Sequence, residues 1–230
     1  MKKKVIWLLV VLLFIFSPFG IKYVTLGAMA QEEEVKDISI PVINMASDTE
    51  HPCQCMADLL TIREKKGTLE GIKVFYSGYP GMAHSLSRCA PRLGMDLYIC
   101  NPEEYDQYFN KDIIKEGEKL AYDYGTKLVW THDFKEAING ADVVYNCGPA
   151  SFLPFADIDI EKIIKDWKPY ETTTDTFKDT KKNAIYMHML PAIRGYAGAT
   201  DEVLDGPHSV IFEQAGDRLH AQKGILALLM

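Results

Sequence analysis

Ala184-Ile185-Tyr186-Met187 is an unbroken apolar run of strand length, and the chain leaves it through His188-Met189-Leu190-Pro191. A strand that is apolar on both faces, rather than on alternate residues, has to be covered on both sides, as strands inside a parallel sheet are. Working outward, similar short apolar runs predict strands over 72–76, 95–100, 127–131, 142–147, 184–189 and 209–212, with a strand end over 40–45. Helical spacing of apolar residues separates them. Met56, Leu59, Leu60 and Arg63 set a helix over 52–66 that stops at Gly67, and further helices are expected over 83–93, within 111–124, and over 134–139, 160–167 and 217–229. Strands alternating with helices imply an α/β fold, a doubly wound, mostly parallel sheet with helices on both faces. In such folds ligands sit outside the carboxyl ends of the strands. The chemistry is therefore expected in the loops after Tyr76, Cys100, Thr131, Cys147 and Met189. The Thr-, Asp- and Lys-rich stretch 171–182 is the expected mobile loop.

Composition narrows the functional classes. Against 25 Lys and Arg stand 32 Asp and Glu, a net charge of −7 with no Lys/Arg cluster except at the extreme N-terminus and over 178–182, which argues against nucleic acid as a partner. The five cysteines, Cys53, Cys55, Cys89, Cys100 and Cys147, are an odd and scattered set without metal-ligand spacing, so buried reduced thiols and a cytoplasmic, reducing compartment are expected. His84, His132, His208 and His220 also lack ligand spacing, and no metal or other cofactor is expected. No Gly-x-Gly-x-x-Gly is present to hold a dinucleotide. The N-terminus points another way. Lys2-Lys3-Lys4, an apolar run over 5–16 and Ala28-Met29-Ala30 have the layout of a secretory signal, so residues 1–30 are either such a signal, with export or membrane association, or unrelated sequence. Residues 31–50 form a linker and strand end, and 51–230 the folded domain.

Two constellations carry chemistry. His51-Pro52-Cys53-Gln54 opens a helix: Pro suits the first helical position, and the free amides there favour an anion. His51 and Gln54, three apart, can both face one ligand. Taken alone the tetrapeptide is equally a helix start with a capping role. The second constellation is His188-Met189-Leu190-Pro191 with Arg194, a Pro bend between two groups able to grip a small polar molecule. An Arg beside a Pro turn is by itself more often a surface residue.

Together with Ala57-Asp58-Leu59-Leu60-Thr61-Ile62, Thr200-Asp201-Glu202-Val203 and Arg218-Leu219-His220-Ala221-Gln222-Lys223, these motifs resemble the aspartate/ornithine carbamoyltransferase family, its ornithine branch in particular, over residues 40–230. The resemblance implies a Rossmann-like acceptor-binding domain and transfer of a carbamoyl group from carbamoyl phosphate to an amine acceptor such as ornithine. It implies that His51, Gln54 and Arg194 hold the carbamoyl group as catalytic residues. His188, Met189, Leu190 and Pro191 would shape the turn beside it, and Gly78, Tyr79, Gly81, Met82 and Ser151 would line the acceptor pocket. It also implies a homo-oligomer, a trimer in the family, and a cytoplasmic location. The chain departs from the family at several points. No Ser-Thr-Arg-Thr-Arg phosphate loop occurs, so most of the carbamoyl-phosphate domain is expected to be missing and turnover impaired. Where the ornithine branch has Cys between His and Leu, this chain has Met189, a thioether unable to act as a thiolate. Gly78-Tyr79-Pro80-Gly81-Met82 and Cys147-Gly148-Pro149-Ala150-Ser151 lack the Asn and Asp that would hold an amino acid's charged groups. A non-catalytic binding or regulatory paralogue, or an inactive fragment, is the alternative. The closing helix has an apolar surface, with Leu219, Ile225, Leu226, Leu228 and Leu229, broader than one sheet face requires, which predicts self-association or a loose C-terminus.

Overall fold

A computed structural model describes residues 42–47, 49–149, 159–196 and 198–229. The segments 1–30 and 31–41, and Ser151, lie outside the described residues. Helix α1 (Pro52–Lys66) has Pro at its start and ends on Gly67, whose φ of 80° is the left-handed turn that glycine adopts at no steric cost. Then follow β1 (Lys73–Ser77), α2 (Pro80–Cys89), β2 (Asp96–Cys100), α3 (Lys111–Tyr124), β3 (Leu128–Thr131), α4 (Phe134–Ile138) and β4 (Val143–Asn146). The chain closes with α5 (Ile160–Trp167), β5 (Ile185–Met187), α6 (Asp201–Leu204) and α7 (Ile211–Leu229). Caps fix the helix starts. Asn110 accepts from the Asp112 and Ile113 amides at the head of α3, and Asp159 from the Glu161 and Lys162 amides at the head of α5.

The five strands pair in the order β3-β2-β1-β4-β5, all parallel. Strand side chains alternate between two cores. Val74, Tyr76, Val143, Tyr145, Ile185 and Met187 join a large cluster with α1, α2, α5 and the inner face of α7. Phe75, Val144 and Tyr186 join a second with Ala137 and Ile138 of α4 and Val203 and Leu204 of α6. Both sheet faces are thus covered, the reason these strands read as continuous apolar runs. Strand order reverses between β1 and β4, and the crevice at their carboxyl ends is the ligand position of such sheets.

The structure corrects several expected boundaries. Residues 209–212 form no strand: Tyr186 N–H donates to the His208 carbonyl and Val210 N–H to the Tyr186 carbonyl, a single bridge beside β5. The Val210 carbonyl then accepts from Gln214 N–H, so the closing helix starts at Ile211, six residues before the expected 217. Residues 42–45 are likewise not in a strand. The expected helix over 83–93 begins at Pro80, and its tail is a 3-10 turn over Pro91–Leu93. The stretch 171–182, expected to be a mobile loop, is folded: Thr172 and Thr176 are buried, Thr174–Lys178 form a 3-10 turn, and the Phe177 ring stacks on His208 at 4.1 Å. The polar side chains there bond locally, with Thr176 Oγ1 accepting from Thr173 N–H at 2.9 Å.

Candidate functional site

His51 stands at the cap of α1 with its own N–H donating to Ser85 Oγ at 2.9 Å, which pins the head of α1 to α2. Its ring meets Tyr79 edge-on at 6.0 Å, and its Nδ1 is buried without a hydrogen-bond partner. Burial, helped by the Arg218 charge, lowers its pKa to about 4, so the imidazole is neutral at pH 7. One turn along, Gln54 is buried and its amide is used at both ends. Its Nε2 donates to Asp58 Oδ1 at 2.8 Å, while its Oε1 accepts from Arg218 Nη1. Asp58 is fully buried. The same Oδ1 accepts from Gln214 Nε2 at 2.7 Å, and Gln214 Oε1 in turn accepts from the His188 N–H at 2.8 Å. A continuous chain of hydrogen bonds therefore runs from α1 through α7 to the end of β5. It joins the two constellations that lie far apart in sequence.

His188 braces its own turn. Its Nδ1 accepts from Leu190 N–H at 2.9 Å, which leaves the ring proton for the other nitrogen, bonded to the Cys147 main chain. Burial lowers this histidine to about 4 as well, so its ring is neutral at pH 7. Leu190 sits at φ 49°, uncommon for a branched residue, before a cis bond to Pro191. Cys147 is fully buried, and desolvation pushes its thiol up to about 12, so it stays protonated. Gly78, at φ 130°, closes over it. A Cβ on Gly78 would lie 2.8 Å from Cys147 Cβ, so the loops after β1 and β4 touch at a place only glycine can occupy.

The structure thus brings His51, Gln54, Gly78, Tyr79 and His188 together around the ends of β1, β4 and β5. Other expected site residues stand apart. Arg194 is exposed and ion-paired with Asp201 at 2.8 Å and Asp205 at 2.9 Å, both at the helix α6 that covers the sheet face opposite α1. Pro191 is exposed, and Met189 is half-buried against the larger core. Met82, expected in the acceptor pocket, is a fully buried core residue, because α2 starts at Pro80 and turns this position toward the sheet. Gly81 is buried beneath the Tyr79 ring, where a Cβ would meet ring carbon at 2.5 Å. The Tyr79 hydroxyl donates to the Ser47 carbonyl at 2.7 Å. Among the described residues no group of three or more His, Cys, Asp or Glu is arranged to hold a metal ion. His84 is a structural histidine, with Nδ1 on the Thr49 carbonyl at 2.7 Å and Nε2 accepting from Asn110 N–H at 2.9 Å.

Sequence reasoning left Asp58, Gln214 and Arg218 without a role. A signal was available: Gln54 with Asp58 and Gln214 with Arg218 are polar pairs at i, i+4, and one side of each helix carries them into the contact between α1 and α7. Buried polar residues on two facing helices have to satisfy one another.

Residues 70–229 match the family described as aspartate/ornithine carbamoyltransferase, Asp/Orn binding domain, and residues 19–64 match its carbamoyl-P binding domain. The second match begins inside the segment 1–30 that the sequence reading set apart. The ornithine carbamoyltransferase of Pyrococcus horikoshii is 41% identical over 200 residues, covering 86% of this chain and 62% of that protein. That of Carboxydothermus hydrogenoformans is 42% identical over 212 residues, covering 92% of this chain and 67% of that one. The solved ornithine carbamoyltransferase from Pyrococcus furiosus superposes with a TM-score of 0.79 at 42% identity, over 86% of this chain and 62% of that one. The chain thus spans about 62% of the length of the first of these relatives. With both halves of its hydrogen-bonded site falling inside these matches, the chain belongs to the aspartate/ornithine carbamoyltransferase family.

Proposed function

We propose that this chain serves carbamoyl transfer from carbamoyl phosphate to the amine of an amino acid or related amine, with His51 and Gln54 holding the carbamoyl group beside the His188 turn. The observation that carries the reading is the hydrogen-bond chain Arg218–Gln54–Asp58–Gln214–His188, which locks the two motifs into one site. A carbamoyl group is a small uncharged amide, and the site answers it with a neutral imidazole and an oriented amide rather than with a free carboxylate. Attack of the amine builds negative charge on the carbamoyl oxygen, and fixed donors stabilise it without reorganising. In this proposal Arg194 reaches that oxygen only by exchanging Asp201 and Asp205 for the ligand. Ser151 belongs to the acceptor side, with Gly78 and Tyr79. The phosphate-anchoring groups come from a carbamoyl-phosphate domain, and free buried thiols at all five cysteines support a reducing, cytoplasmic setting. No helix among the described residues is long and apolar enough to cross a membrane.

The acceptor side favours a second reading. The segment from Gly78 to Met82 presents no charged group, its tyrosine is tied to Ser47, and its methionine is in the core. An acceptor other than ornithine, or a chain that binds without turning over, fits that loop. The test incubates the chain, alone and with a separately supplied family carbamoyl-phosphate domain, with carbamoyl phosphate and a panel of amines, and assays ureido product. Product that disappears in Gln54→Ala supports transfer, and the amine that yields it names the acceptor. No product under any condition, with carbamoyl phosphate still bound, leaves the binding paralogue.

A further inference from the structure

We infer that Asp58 is a positioning residue of the site: through Gln54 and Gln214 one buried oxygen sets both the direction of the Gln54 carbonyl and the place of the His188 main chain. This rests on the carbamoyl-transfer reading for its purpose, and on the hydrogen bonds alone for its geometry. A glutamine amide can be turned end for end, and nothing in its shape chooses between the two states. Here the choice is forced. Asp58 Oδ1 is the shared acceptor of both amides and the guanidinium of Arg218 can only donate, so the Gln54 NH2 must face Asp58 and its oxygen must face Arg218. The Gln222 amide, set with its oxygen toward Arg218, accepts from Nε at 3.2 Å and Nη2 at 2.9 Å and holds the guanidinium in that direction.

The same logic fixes Gln214. Its NH2 faces Asp58, which leaves its oxygen for the His188 N–H. The residue that follows β5 is thereby held by an acceptor whose own orientation depends on Asp58. Both glutamines and Asp58 are buried, so water does not offer itself as a replacement partner. Asp58 touches no ligand position itself. It acts through its neighbours, in a setting where burial raises its pKa against the smaller lowering effects of Gln54, Gln214 and Tyr145.

The experiment uses the full chain and two substitutions. Asp58→Ala removes the shared acceptor, whereas Asp58→Asn keeps one oxygen in its place. Amide hydrogen exchange by NMR is read at His188 and, as a control for overall loosening, at Ile99 in the middle of the sheet. The expected result in Asp58→Ala is exchange at His188 about tenfold faster relative to Ile99, together with displaced side-chain amide resonances of Gln54 and Gln214, because a buried donor has lost its held acceptor. Asp58→Asn should restore both. If Asp58→Ala does not fold, Asp58→Leu, which fills the space but offers no acceptor, carries the test, with His188 losing its protection relative to Ile99 by the same factor. An unchanged His188 to Ile99 ratio with unmoved Gln54 resonances overturns the inference, as does a purely uniform rise in exchange. A parallel titration with phosphonoacetamide, a stable isostere of carbamoyl phosphate, separates the two claims. Failure of the unsubstituted chain to bind it even with a family carbamoyl-phosphate domain supplied counts against the proposed function, while the exchange ratio still decides the role of Asp58.

Discussion

Asp58 is buried with two side-chain amides as its donors, and desolvation raises its pKa from 3.8 to about 7 against the lowering effect of Gln54, Gln214, Tyr145 and Arg218. In the unfolded chain the group ionises at its ordinary value. Between those two values the folded state holds a proton that the unfolded state has lost, so stability falls as pH rises through this window and levels off above about 7. Each pH unit inside the window costs about 1.4 kcal/mol. Asp58→Asn cannot ionise and keeps an oxygen for the two glutamines, so it escapes this cost. Relative to the unsubstituted chain, its advantage should grow by about 3 kcal/mol between about pH 5 and about pH 8, the two units that lie below the folded pKa. The assay is urea unfolding followed by tryptophan fluorescence and circular dichroism at both pH values, with the slope m checked for constancy. Other groups titrate in both proteins and cancel in the difference. A difference that stays flat with pH, or an Asn variant less stable at the higher pH, would refute the claim that a carboxylate is buried here at a cost.

His51 and His188 act in the opposite direction: both are held neutral down to about 4 from an ordinary 6.5, so stability is lost as pH falls from 6.5 toward 4. Potentiometric unfolding near pH 5 sums the proton uptake by these rings with the proton that Asp58 releases, and the net uptake should fall by about one in a His188 variant. Gly78→Ala should destabilise by about 3 kcal/mol or more, measured by the thermal midpoint, since it meets both a φ of 130° and a 2.8 Å contact with Cys147. Asn110→Ala, which strips the cap of α3, should cost about 1 kcal/mol in the same measurement. On α7, Phe212, Leu219 and Leu226 are 75%, 57% and 46% exposed and seven residues apart, so they form one apolar stripe. Leu219→Glu should reduce concentration-dependent association in sedimentation velocity with no fall in thermal midpoint, and equal sedimentation of both proteins as monomers at high concentration would show that the stripe has no such role.

The apolar run at 184–187 was enough to determine that the sheet is parallel and covered on both faces, because a strand buried on both sides cannot alternate. Pro52 with Gly67 marked helix ends for the equally local reason that start and stop depend on the residue occupying them. Residues 209–212 were misread because a short apolar run, Val210-Ile211-Phe212, serves strand and buried helix start alike, and only the one-residue bridge to Tyr186 settles which it is. The polar stretch 171–182 misled in the other direction, since its threonines bond to one another and to the main chain, a satisfaction that composition does not reveal. The motifs at His51 and His188 were legible singly from the sequence, as a helix start and a Pro turn. The resemblance implied one ligand between them, but the bonds that join them were decided by tertiary structure: a buried carboxyl group on α1 needs donors, the facing helix α7 supplies Gln214, and the polarity of that amide passes the requirement on to the main chain of His188.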